Sequence, residues 1–119
     1  MDNVNDRKFV GRLIISVLTG KLNVREAIKR FPESFDRSIE CAYHALLHYA
    51  ADEEMRYMDI EYRDAQDDYL ESIAQTLSLG QTLPKNIIEE YRPYYKGIAG
   101  VWKQGFDWFK KEFLRFINI

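Results

Sequence analysis

Four side chains able to bind a metal recur through the middle of the chain: Cys41, His44, His48 and Asp52. They stand at i, i+3, i+7 and i+11, and on a wheel of 100° per residue Cys41, His44 and His48 fall within about 60° of one another. Imidazoles four residues apart on a helix can share one transition-metal ion, with a thiolate and a carboxylate completing the donor set. Hydrolytic zinc helices also place a glutamate between their histidines, whereas residues 45–47 here read Ala-Leu-Leu. The pattern therefore points to metal holding without a built-in general base, against a plainer reading of His44 and His48 as hydrogen-bonding residues at a helix boundary. Cys41 one turn from His44 also has the spacing of a thiolate–imidazole pair, but neighbours at i and i+3 are common and this spacing is weak support for catalysis.

Other candidate groups are less complete. Glu33 with Asp36 and Glu61 with Asp64 have the three-residue spacing with which all-α nucleotide pyrophosphohydrolases hold magnesium. Residues 51–84 carry nine acids, enough to produce that spacing by chance, and no phosphate-binding glycine loop accompanies them. Residues 20–31, GKLNVREAIKRF, resemble the first helix of a helix-turn-helix unit. The following helix would have to read DNA, yet it offers only Arg37 at its N-terminal end and then Glu40. A helix-turn-helix-like DNA-binding protein is accordingly the lesser alternative. Near the C-terminus, Lys103, Lys110, Lys111 and Arg115 stand among Trp and Phe, a composition suited to a membrane surface or a partner groove, although Asp107 and Glu112 dilute the positive face.

The elements that must position these groups are helical. Gly and Pro are absent from Glu33 to Leu79, and no alternating apolar–polar run of strand length occurs, which predicts an all-α fold. A first helix is expected from Asp6, as N-cap, to Leu18, with Phe9, Val10, Leu13, Ile14 and Val17 on one face and Gly20 ending it. Asn23 caps a short second helix bearing the stripe Val24, Ala27, Ile28 and Phe31, stopped by Pro32, and Ser34 or Asp36 opens a third. A single helix from there to Leu77 would be about 60 Å long. Its apolar face also moves: Ile39, Ala42, Tyr43, Leu46, Tyr49 and Ala50 form one stripe, and Met55, Met58, Tyr62, Ala65, Tyr69 and Ile73 form another about 120° away. A break near Ala51–Glu54, with Asp52 as the new N-cap, reconciles the two. Opposite the second stripe lie Glu54, Glu61, Asp64, Asp67, Asp68 and Glu71, an acidic surface relieved by Arg56 and Arg63.

Gly80 ends that helix, and a short one follows from Leu83-Pro84 to Tyr91. The last runs from Pro93 to about Phe116, with Trp102, Phe106, Phe109, Phe113 and Phe116 as a heptad-like aromatic seam. Trp108 and Leu114 fall off the seam, and with Lys110 and Lys111 they form a candidate partner-binding face.

The whole chain of 119 residues, 46% apolar, reads as one domain, a bundle of five or six helices around a long central helix or helix pair at about 36–78. One cysteine forbids an internal disulfide and no run approaches the ~20 apolar residues of a membrane span, so a cytoplasmic protein is expected. Lys and Arg outnumber Asp and Glu eight to six over residues 1–50 and seven to four over 85–119, but are outnumbered two to nine over 51–84. That dipole disfavours nucleic acid at the middle third and favours packing between oppositely charged segments or subunits. The expected function is a non-catalytic accessory or regulatory module that binds another protein or itself, for instance as a homodimer, with no cofactor. A metal-binding protein using Cys41, His44, His48 and Asp52 is the alternative.

Overall fold

A computed structural model describes residues 3–90, which form six helices and no strand. The aromatic seam from Trp102 to Phe116, and the candidate partner face of Trp108, Lys110, Lys111 and Leu114, lie outside the described residues. The helices are α1 (Asn3–Leu18), α2 (Val24–Lys29), α3 (Arg37–Ala51), α4 (Glu53–Met58), α5 (Ile60–Ser78) and α6 (Lys85–Glu90).

α1 begins three residues before the expected cap. Asp6 lies in its first turn, where a carboxylate still favours the positive end of the helix dipole. Val10, Leu13 and Ile14 are buried as the stripe requires, but Phe9 stays 43% exposed. α1 ends as predicted: Gly20 adopts φ +75°, with Lys21 N–H on the Ser16 carbonyl (2.9 Å) and Gly20 N–H on Val17 (3.1 Å). α5 ends by the same device at Gly80, φ +77°, with Gln81 N–H on Thr76 and Gly80 N–H on Leu77. Asn23 caps α2 by accepting from Glu26 N–H at 2.8 Å. Asp36 caps α3 by accepting from Ser38 and Ile39 N–H.

α3 is the axis of the fold and touches each of the other five helices. Its expected stripe is buried, with Tyr49 half-buried, and so are Cys41, Ala45 and Leu47 on its other sides. A helix buried nearly all round belongs in the centre of its bundle. α1 runs antiparallel along the C-terminal half of α5, as the neighbours of Gly11 (Ala74, Ser78) and of Gly80 (Val4, Lys8) place it. Accordingly Leu70, Ile73, Ala74 and Leu77 are the buried residues of α5.

The long central segment breaks where the moving stripe required, at Asp52, and again at Asp59, where no break was expected. Asp59 is extended (φ −130°, ψ 106°), and its carboxylate caps α5 by accepting from Tyr62 N–H. These two breaks correct the second stripe. Of its six members only Ile73 is buried; Tyr62 and Tyr69 are half-buried, and Met55, Met58 and Ala65 are exposed. A wheel drawn through residues 55–73 assumes one continuous helix, so the break at Asp59 frees Met55 and Met58 from the stripe, while within α5 burial is confined to the C-terminal half that α1 covers.

Candidate functional site

α3 carries the Cys41, His44 and His48 pattern along its length, but the surroundings of these residues diverge. Cys41 is fully buried, its thiol directed at the Ile87 carbonyl of α6 (3.7 Å). His44 is half-buried, its ring edge-to-face with Tyr43 at 5.4 Å between centroids. His48 is exposed. Asp52 lies one residue past the helix; its side chain makes no cap hydrogen bond and accepts instead from the Tyr62 hydroxyl of α5. A metal needs its donors converging to about 2.0–2.3 Å of one point. Among the described residues no three His, Cys, Asp or Glu side chains do so, and the four predicted ligands are not brought together. The carboxylate pairs separate as well. Asp36 is turned inward onto Arg7 while Glu33 is exposed in the preceding turn, and Asp64 pairs with Arg63 beside an exposed Glu61.

The junction of α3, α4 and α5 is a different kind of site. Tyr49 donates its hydroxyl to Asp67 (2.8 Å), Arg56 lies 3.4 Å over the Tyr49 ring and donates to the Tyr49 carbonyl, and Tyr62 donates to Asp52. Five polar and aromatic side chains from three helices thus tie the corner together. The hydrogen bond to Asp52, with burial and the Asp52 charge adding to it, pushes the Tyr62 hydroxyl up to about 12. Burial, and then the hydrogen bond to Asp67, raises Tyr49 too. Because the folded value of Tyr62 is raised, this contribution to stability is complete below the unfolded value of 10.0 and is lost as pH climbs through about 12. In a spectrophotometric titration, Tyr62→Phe should remove a tyrosinate component with its midpoint near pH 12; loss of one near 10 would contradict the hydrogen bond.

At this clamped corner, four large apolar side chains within six residues are exposed to solvent: Met55 (58% exposed), Tyr57 (90%), Met58 (78%) and Ile60 (64%). Exposed Glu53, Glu54, Glu61 and Asp64 frame them. The sequence reading placed Met55 and Met58 in a buried stripe and so missed this patch; the signal that could have found it is Asp59, a good cap followed by Glu61 in the next helix's first turn.

A second surface lies between α1, α2 and the turn joining them. Phe9, Leu13, Ser16 and Leu22 with Arg12, Lys21 and Arg30 line an open groove of about 480 Å³. Its lining is mixed apolar and polar, and its three cations make no ion pair among the described residues. No described helix is long and apolar enough to cross a membrane. Comparison of the chain with protein-family models, with curated proteins and with solved structures gave no match.

Proposed function

We propose that this chain is a non-catalytic accessory or regulatory module that acts by binding protein, and that the α4 corner is its contact surface. The observation that carries this reading is the exposure of Met55, Tyr57, Met58 and Ile60 on a backbone held by the Tyr49, Asp52, Arg56, Tyr62 and Asp67 contacts. Large apolar side chains exposed together beside charged ones are where soluble domains meet partners, since covering them removes apolar surface from water at about 25 cal/mol per Å². Aromatic and methionine side chains suit the centre of such a patch, the first by rigid area and the second by adaptability. A corner fixed before binding also loses little conformational freedom when it docks.

The test is photo-crosslinking from position 57, which can be altered without touching the core. With a benzophenone side chain there, irradiation in the producing cell should give a discrete adduct. The same group at exposed Gln75 should not, and Met55→Ala with Met58→Ala should abolish the adduct at 57. Equal, diffuse labelling from both positions would sink the reading.

A further inference from the structure

We propose that the occupant of the α4 corner is a second copy of this chain, which receives it in the groove between α1 and α2, so that molecules associate head to tail. This inference rests on the α4 corner being an interaction surface and adds the identity of the partner.

The two surfaces are complementary in both respects that matter. The corner offers exposed Tyr57, Met58, Met55 and Ile60 together with exposed Glu53, Glu54, Glu61 and Asp64. The groove is lined by Phe9, Leu13 and Leu22 together with Arg12, Lys21 and Arg30. Neither Glu53, Glu54 and Glu61 on one side nor the three cations on the other make an ion pair among the described residues. Their charge is left to act between molecules, steering the approach and fixing its direction. At about 480 Å³ the groove is of the size that holds several side chains or a small ligand, which leaves room for Tyr57 and Met58 together. Phe9, exposed at its mouth although it belongs to the α1 stripe, supplies an aromatic partner for Tyr57.

The obvious rival occupant of the corner is residues 91–119 of the same chain, rich in aromatics and lysine. That segment suits the acidic corner but leaves the basic groove with nothing to receive, whereas a second copy accounts for both surfaces with one contact. The corner is built on α3, α4 and α5 and the groove on α1 and α2, so the contact is heterologous. Repeated, it closes into a ring or extends into a filament.

Complementation with full-length chains tests this. A corner variant (Tyr57→Ala with Met58→Asp) and a groove variant (Arg12→Glu with Arg30→Glu) alter only exposed side chains, and unchanged helical circular dichroism confirms folding. By light scattering after size exclusion, the wild-type chain should associate beyond its 14.2 kDa monomer as concentration rises, with affinity falling about tenfold when salt is raised. Each variant alone should remain monomeric. Their equimolar mixture should form a dimer and nothing larger, because it holds one intact corner and one intact groove per pair. A wild-type chain that stays monomeric at low salt, or a mixture that does not pair, overturns the proposal. If the crosslink from position 57 then lands on another protein, only the second copy is refuted; if it lands on residues 91–119 of the same chain, or if no specific crosslink forms, the reading of the α4 corner falls as well.

Discussion

Asp36→Ala should lower the unfolding free energy by about 3–5 kcal/mol, measured by urea denaturation. Arg7 reaches from α1 to place Nε and Nη2 on one Asp36 oxygen (3.1 and 2.8 Å) and Nη1 on the Gly80 carbonyl (2.9 Å). The other Asp36 oxygen caps α3. One carboxylate therefore joins the start of α3 to α1, and through Arg7 to the end of α5. The pair is sequestered, with side-chain exposures of 15% for Arg7 and 7% for Asp36, so deleting the carboxylate strands a guanidinium that water can reach only poorly. Losing the cap accounts for only about 1 kcal/mol of the effect. The remainder is the cost of the unpaired charge, which sets a second expectation: Arg7→Leu combined with Asp36→Asn, which keeps a capping oxygen and removes both charges, should recover most of the loss. If the double variant is as unstable as Asp36→Ala, the buried pair is not the cause.

Gly11→Ala should destabilise the protein by about 1–3 kcal/mol, and Gly11→Val by more. A Cβ at position 11 would lie 2.5 Å from Ser78 Oγ, 2.6 Å from Ser78 N and 2.8 Å from the Ala74 carbonyl oxygen. The hydroxyl can rotate away, but the other two atoms are backbone of α5, so the helices must part. An exposed helical Gly→Ala change normally stabilises by about 0.5–1 kcal/mol, and the sign of the measured change therefore decides between helix propensity and packing. A stabilised Gly11→Ala would show that α1 and α5 do not approach this closely.

Several features were legible in the chain because they depend on neighbours along it. The glycine stops at 20 and 80, the Asn23 and Asp36 caps, the Pro32 stop and the break at Asp52 follow from local backbone chemistry, and each appears in the structure. The stripe on α3 was readable for the same reason, since periodicity reports a buried face whenever one helix is continuous. The second stripe failed at Met55 and Met58 because continuity was assumed across Asp59, and at Ala65 because periodicity cannot tell how far along a helix its partners reach. The Cys41, His44, His48 and Asp52 spacing was real along the helix, yet spacing says nothing about what covers each turn: α6 covers Cys41 and α5 takes Asp52, while His48 stays in water.

By itself, then, the amino-acid order determined an all-helical chain, where most helices begin and stop, and the uneven charge from one third to the next, because these depend on short-range sterics, hydrogen bonding and composition. Tertiary structure alone decided that α1 and α5 approach closely at Gly11 and that Arg7, Asp36 and Gly80 meet. Those outcomes require residues up to 73 positions apart to come together, and no local pattern carries that information.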